Sequence, residues 1–125
     1  RARADVVIAP RVGPELISGS TRLKAGTATK LILNMLTVAT MVQMGKVYGP
    51  WMVDVRPTSN KLRERALRIV QHLGGVSRQR AARLLRDTRG QVKPAIVMAL
   101  RGLSAFQARA ALARHRGNLR TVLTG

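Results

Sequence analysis

The longest apolar stretch of the chain, residues 31–44, is hydrophobic on nearly every side of a helix. We predict that this helix begins near Lys24 and ends before Gly45, because glycine commonly follows a helix C terminus. A helix that is apolar all round is usually buried all round, so the stretch predicts a long buried helix at a subunit interface. Its apolar side chains form one marked face and a second set beside it: Leu31, Met35, Val38 and Val42, then Leu33, Leu36 and Met41.

Two shorter stretches predict extended backbone. Residues 5–9 form a β-branched run that ends at Pro10, a pattern typical of a strand buried on both faces. That strand would need partner strands from elsewhere, since a single strand cannot form a sheet. Within residues 46–55, a turn at Gly49-Pro50 precedes alternating apolar positions, which predicts a short edge strand.

The pattern from residue 61 onward is wholly helical and predicts four helices and a final turn. Glycines and capping residues mark their ends, including a capping box of Ser104 and Gln107. The predicted elements are residues 61–73, a helix between Ser77 and Gly90, residues 92–100, a helix from Ser104 to Gly117, and a turn at 119–123. Their predicted inward positions are Leu62, Ala66, Ile69, Val70, Leu73, Ala81, Leu84, Leu85, Val92, Ile96, Leu100, Ala108, Ala111 and Leu112.

Charge adds a possible partner to this picture. The 125 residues carry 23 basic and 5 acidic side chains, a net charge of +18, and the excess is concentrated after Arg56. Such a balance attracts nucleic acid and other polyanions, so a basic nucleic-acid-binding helical module is one hypothesis. No base-reading motif supports it, and aromatic residues, which stack on bases, make up only 2% of the chain.

Several classes of site and location are disfavoured. The chain contains no cysteine, so disulfides and thiolate metal sites are excluded, and no other metal-ligand spacing occurs. Residues 6–10 are too short for the apolar core of a signal peptide. The run 31–44 is interrupted by polar residues and falls short of the ~20 apolar residues of a membrane span. We therefore predict a cytoplasmic protein with no membrane partner. The first residue is Arg1 rather than Met, which indicates a fragment or a processed product.

Candidate chemistry precedes the long helix, in a loop rich in glycine, hydroxyl groups and cations. Ser20 and Thr21 bring small hydroxyl side chains close to the predicted helix start. Hydroxyl groups and free backbone N–H groups at such a position suit an anion such as a phosphate. The same residue types more commonly only cap a helix. From the residues alone both interpretations remain open.

Five motifs follow one another in the first half of the chain: GPE at 13–15, GSTRLKAGTA at 19–28, KLILNM at 30–35, GKVYG at 45–49 and MVDV at 52–55. In this order they resemble the N-acetylmuramic acid 6-phosphate etherases and, more distantly, the glucokinase regulatory proteins. A weaker match continues through QVKPAIVM at 91–98 to the C terminus. The resemblance covers essentially the whole chain, but only the C-terminal part of the family's length.

The resemblance implies a mainly α fold. Residues 1–58 would form the C-terminal part of an α/β sugar-isomerase (SIS) domain, with one or two short strands and the long buried helix. Residues 59–125 would form a small helical bundle similar to ubiquitin-associated domains, although fold analogy alone does not imply ubiquitin binding. The resemblance also implies a homodimer, no cofactor, and a further N-terminal SIS segment that this sequence lacks.

The activity implied by the resemblance is that of a lyase in peptidoglycan recycling. Such an enzyme cleaves the D-lactyl ether of N-acetylmuramic acid 6-phosphate to give N-acetylglucosamine 6-phosphate and D-lactate. Family glutamates in the N-terminal part of the SIS domain make the proton transfers, so no catalytic residue is expected in this chain, which alone should be inactive. The resemblance implies substrate contacts from Ser20, Thr21, Arg22, Lys24 and Glu15, and from Lys61 of an Asn60-Lys61-Leu62 motif that lies in the family's C-terminal lid.

The other ionisable residues offer no acid–base couple. Asp54 and Glu64 each stand alone among cations, and His72 and His115 lie in predicted helices without an obvious partner. A non-catalytic, phosphosugar-binding regulatory protein therefore remains an alternative to the etherase, beside the nucleic-acid hypothesis.

Overall fold

The computed structural model describes residues 4–125, which are mainly helical, as predicted. Within these residues six helices accompany a single two-stranded hairpin. In chain order the elements are α1 (Lys24–Gln43), β1 (Val47–Tyr48), β2 (Trp51–Met52), α2 (Asn60–Gly74), α3 (Arg78–Asp87), α4 (Val92–Arg101), α5 (Ala105–Arg114) and α6 (Leu119–Thr124).

The chain divides into two compact units, Arg1–Thr40 and Met41–Gly125. The hairpin therefore belongs to the second unit, together with the five short helices. The sequence predicted a domain boundary at residues 58 and 59, based on the resemblance to a family. The boundary at residues 58 and 59 stays a prediction about where two family domains meet. The division at Thr40 instead reflects the contacts within this chain.

The first unit contains no strand among its described residues. The strand predicted at residues 5–9 is wrong for this structure: Asp5 is a bend, residues 6–9 are irregular, and all of them are exposed. A strand is held by hydrogen bonds to a neighbour, and the described part of this unit provides no neighbouring strand. The β-branched pattern therefore identified a segment that suits a sheet, but the described part of this unit contains no sheet for it to join.

Helix α1 has the predicted bounds. None of its residues is buried in the single chain, and Met35, for example, is 61% exposed. No described segment covers this helix, so its burial at a subunit interface stays a prediction. By length and composition α1 is also long and apolar enough to cross a membrane. Residues 31–44 alone are too short for a span, but the helix extends that run back to Lys24.

The polar side chains of α1 are partly satisfied within the helix. The hydroxyl groups of Thr29, Thr37 and Thr40 each donate a hydrogen bond to a backbone carbonyl one turn earlier, at 2.8–2.9 Å. Such bonds leave the threonine methyl groups on the surface. The helix therefore presents a more apolar surface than its composition indicates.

Helix α4 is the centre of the second unit and packs against α2, α3, α5 and α6. Its buried residues are Val92, Pro94, Ala95, Ile96 and Val97. The neighbouring helices and the segment after the hairpin complete an aliphatic core with Val53, Ala66, Leu67, Ile69, Val70, Ala81, Leu84, Ala108, Leu112 and Leu119. The helical spacing therefore predicted most of this core correctly.

Leu100 is an exception, since it was predicted to face inward and is 48% exposed. It lies in the last turn of α4, where the chain bends by 108° into α5. The predicted capping box is confirmed: the Ser104 hydroxyl accepts the Gln107 N–H, and the Gln107 side chain accepts the Ser104 N–H.

The hairpin joins the helical core through the residue that follows it. Strands β1 and β2 pair antiparallel around the predicted turn, with Val47 opposite Met52. Val53 is fully buried, and its N–H donates to the Lys46 carbonyl at 2.9 Å. The Trp51 ring packs 5.0 Å from the ring of His72, measured between centroids. His72 therefore has an aromatic partner that the sequence did not reveal.

Candidate functional site

The loop before α1 forms a small open hollow at its tip. Residues 18–22 line the hollow, and they include Ser20, Thr21 and Arg22, whose role as phosphosugar contacts stays a prediction. The Ser20 N–H donates to the Ile17 carbonyl at 3.0 Å, and Gly19 adopts a positive φ of 78°. The tight turn depends on that conformation, which glycine adopts without steric cost.

Glu15 caps the N terminus of α1 from outside the helix. Its two carboxylate oxygens accept the backbone N–H groups of Lys24 and Ala25, each at 3.0 Å. These bonds to Ala25 and Lys24 hold the pKa of the Glu15 carboxyl below its usual value of 4.5, because they stabilise the ionised form. The carboxylate also complements the positive end of the helix dipole.

The side chain of Lys24 bonds from the helix back to the same loop. Its Nζ donates to the Pro14 carbonyl at 2.7 Å, while its backbone N–H donates to Glu15. Inside the first turn, the Thr21 carbonyl accepts the Gly26 N–H at 2.9 Å, and a Cβ at Gly26 would lie only 3.3 Å from that oxygen. Hydrogen bonds therefore hold the first residues of the helix against the Gly-Pro-Glu motif.

This geometry bears on one of the two interpretations of the loop, that its hydroxyl groups cap the helix, while anion binding stays a prediction. Ser20 and Thr21 do not cap α1, since Glu15 takes the N–H groups of Lys24 and Ala25. The hydroxyl groups of Ser20 and Thr21 and the Arg22 guanidinium make no hydrogen bond to residues 4–125, and they line the hollow. Two hydroxyl groups and a guanidinium are donors well suited to a phosphate. The structure thus provides an anion-compatible loop whose donors are side chains.

Lys61 lies in the first turn of α2, in the second unit, and is exposed. Ser59 caps this helix by accepting the Leu62 N–H at 3.3 Å, and the first turn contains no acidic residue. A cation is electrostatically unfavourable near a helix N terminus, and none of the ion pairs among residues 4–125 involves Lys61. Helix stability therefore does not account for a lysine at this position.

A basic groove lies in the second unit, and it was not predicted from the sequence. Four cations line it, and the carboxylate of Asp54 lies among them. Asp54 is 3.8 Å from the Nζ atoms of both Lys46 and Lys93, and Lys93 also donates to the Gly117 carbonyl at 2.9 Å. Burial lowers the pKa of the Lys93 ammonium below 10.5, and Asp54 partly opposes this shift. The cations of the groove are Arg56, Arg89, Lys93 and Arg109.

Proton-transfer chemistry has little support among the described residues. The Glu64 carboxylate forms an exposed ion pair with Arg78 at 2.8 Å, and both oxygens of Glu15 accept backbone N–H groups. Residues 4–125 contain no group of three His, Asp or Glu side chains that could hold a metal ion. What the arrangement offers chemically is recognition of an anion.

Comparison with known proteins finds relatives of one name but no matching family model. Proteins named N-acetylmuramic acid 6-phosphate etherase from Yersinia pestis (strain Pestoides F) and Yersinia pseudotuberculosis (serotype O:1b, strain IP 31758) are each 56% identical to it over 120 residues. The aligned region is 96% of this chain but 41% of each relative, so the chain spans about two fifths of their length. The predicted resemblance is confirmed, and the partial coverage fits the predicted correspondence to a C-terminal portion.

Proposed function

We propose that this chain, which is related to the N-acetylmuramic acid 6-phosphate etherases over 96% of its length, supplies part of the phosphosugar-binding apparatus of such an enzyme. The complete enzyme would cleave the D-lactyl ether of its substrate and release N-acetylglucosamine 6-phosphate and D-lactate. The observation that carries the proposal is the hollow at residues 18–22, whose hydroxyl and guanidinium donors have no partner among the described residues. Of the predicted contacts in the first unit, these are the ones whose side chains make no hydrogen bond to the described residues.

The residues of the first unit would divide into two roles. Ser20, Thr21 and Arg22 would contact the phosphosugar directly. Glu15 and Lys24 were proposed as further contacts, and their bonds across the loop add a positioning role, since they fix the start of α1 behind the hollow. A loop fixed in this way loses less entropy when it binds a ligand. The proton transfers would come from glutamates outside this sequence, so the chain alone would not release lactate.

Lys61 would act from the second unit as the lysine of the C-terminal lid. It is exposed, and the α2 dipole disfavours a cation where it lies. A substrate phosphate or hydroxyl group would offset that cost, because it supplies the negative or polar partner that residues 4–125 do not provide. Lys61 would thus be a further substrate contact, the role that the resemblance implies for the lysine of the C-terminal lid.

The proposal includes self-association through α1, as expected for a homodimeric enzyme. The exposed apolar side chains of the twenty-residue helix α1 are unfavourable in water, and burying them against a second protein surface removes that cost. Sedimentation of the chain and of a Met35→Glu, Val38→Glu variant would test this element. We expect the substitutions to shift the protein toward monomer, and an unchanged mass at equal concentration would exclude α1 as the interface.

The activity is best tested in a chimera. The aligned region of the Yersinia pestis relative would be replaced by this chain, and release of D-lactate from N-acetylmuramic acid 6-phosphate would be measured. We expect turnover by the chimera and none by the chain alone. A folded chimera without turnover would contradict the proposal, and turnover by the chain alone would contradict the absence of catalytic residues from it.

Variants of the same chimera would test the individual residues. Arg22→Gln and Lys61→Met should raise KM or lower kcat/KM by roughly tenfold or more, since each removes a charged contact worth ~1.5–3 kcal/mol. Arg65→Met is the matched control for Lys61→Met, because Arg65 is also an exposed cation of α2. Equal effects of the two substitutions would show that Lys61 acts only through the general charge of the chain.

A further inference from the structure

The basic groove of the second unit has the size of a small-molecule site. Its volume is about 710 Å³, within the range of ~300–1,000 Å³ typical of ligand pockets. One wall is the segment 53–58 that follows the hairpin, and another is the turn between α3 and α4. Apolar side chains and cations line it together, including Val55 and Leu112. It shares no residue with the hollow at residues 18–22 and does not include Lys61.

The charges of the groove are unbalanced. Its carboxylate, Asp54, is flanked by Lys46 and Lys93 at 3.8 Å each. The three arginines of the groove are exposed, and none forms an ion pair or a side-chain hydrogen bond with residues 4–125. Like charges placed around one concave surface repel each other, and an anion bound among them removes that repulsion. The unpartnered arginines are Arg56, Arg89 and Arg109.

The walls that carry these arginines are fixed by packing. Gly90 has a positive φ of 81°, and a Cβ there would lie 2.8 Å from Pro57 Cγ. Arg89 itself has a positive φ of 54°, which is uncommon for a residue with a side chain. Lys93 is anchored by its bond to the Gly117 carbonyl at 2.9 Å. The segment around Pro57 and the start of α4 are thus held close together, so the groove is preformed.

We propose that this groove is a second ligand site, which binds a phosphate-bearing small molecule through Arg56, Arg89 and Arg109. Guanidinium groups bind phosphate oxygens in pairs of parallel hydrogen bonds, and the apolar lining would hold the organic part of the ligand. The anchored Lys93 ammonium and the flanked Asp54 carboxylate would shape the floor. The inference is independent of the proposed etherase function, because it rests on residues of the second unit alone.

Binding would be mapped on the purified chain by titrating inorganic pyrophosphate, and then N-acetylglucosamine 6-phosphate, into ¹⁵N-labelled protein. We expect saturable changes in the amide signals of Gln91, Lys93 and Gly117 and in the arginine Nε signals. Changes confined to residues 18–22 would support the proposed phosphosugar loop and overturn the groove proposal. Changes confined to the groove would support the groove proposal and count against the phosphosugar loop. Failure of the one proposal is therefore distinguishable from failure of the other.

Paired charge removal provides the control for a chain of net charge +18. Arg56→Gln with Arg109→Gln should weaken pyrophosphate binding by roughly tenfold or more. Arg65→Gln with Arg68→Gln removes the same charge from exposed positions of α2 outside the groove, and should change the Kd less than about threefold. Equal weakening by both pairs, or unsaturable changes spread over all arginines, would overturn the proposal. If a groove variant fails to fold, mapping on the unmodified chain decides.

Discussion

The side chain of Glu15 bonds to the backbone of Lys24, and the side chain of Lys24 bonds to the backbone of Pro14, next to Glu15. The Glu15 carboxylate accepts the Lys24 N–H at 3.0 Å, and the Lys24 ammonium donates to the carbonyl of Pro14 at 2.7 Å. The two bonds join Lys24, at the start of the helix, to loop residues nine and ten positions earlier in the chain. The conformation of the hollow between them therefore depends on a pair of residues that do not line it.

Removing the Glu15 carboxylate should loosen the start of α1. In Glu15→Ala the N–H groups of Lys24 and Ala25 lose their acceptor, and their amide hydrogen exchange should accelerate by roughly fivefold, as for loss of a helix cap. Asp5→Ala is the control, since Asp5 is an exposed acid of the same unit. Similar exchange in both variants would show that Glu15 does not hold the helix start.

Acid should have the same effect as that substitution. The folded pKa of Glu15 lies below 4.5, so the folded state binds its proton less readily than the unfolded state does. The stabilisation is fully present above pH 4.5 and is lost as the pH falls through the lowered folded pKa. The ¹³C shift of the Glu15 carboxyl should titrate below pH 4.5, and the exchange of Lys24 and Ala25 should accelerate over the same range. A titration at or above pH 4.5 would contradict the capping bonds.

Ile96 and Leu100 should differ sharply although both belong to α4. Ile96 is fully buried, and Ile96→Ala should lower the free energy of unfolding by about 2–5 kcal/mol, since it leaves a cavity in the core. Leu100 is 48% exposed, so Leu100→Ala should change it by less than about 1 kcal/mol. Urea unfolding followed by circular dichroism measures both. Comparable losses would mean that Leu100 is packed as the helical spacing predicted.

Gly90 and Gly75 separate a steric clash from backbone strain. Both have a positive φ, of 81° and 61°, but a Cβ at Gly75 would meet nothing within 4 Å. Gly75→Ala should therefore destabilise by about 1 kcal/mol from the left-handed conformation alone. Gly90→Ala should cost about 1–3 kcal/mol more, because its Cβ would overlap the Pro57 ring. Equal losses in urea unfolding would show that the Pro57 segment moves freely.

The sequence was most informative where contacts are local or repeat at helical spacing. The period of apolar residues predicted α2 to α5 because each of these helices packs apolar side chains into the core of a single small unit. Leu100 departed from that period because the chain turns by 108° just after it. A period describes one helix and contains no information about where the next helix turns away.

Long-range features were not predictable from the sequence. The residues of the basic groove extend from Val53 to Gly117, and only the packing of the second unit brings them together. Glu15 as a helix cap was missed because capping residues normally adjoin their helix. The apolar pattern of α1 predicted its burial against a partner surface, and the described residues of a single chain do not supply that surface.

The intrahelical bonds of Thr29, Thr37 and Thr40 have a consequence for whatever covers α1. Their hydroxyl groups are already satisfied, so a covering surface needs no polar group to receive them, and fit there is decided by shape. Asn34, exposed within the same helix, has an amide side chain that such a surface would have to pair. A buried amide fixes how two helices align along their length. Asn34 would therefore select a single alignment between α1 and the covering surface. The remaining, apolar contacts would allow the two surfaces to shift along each other.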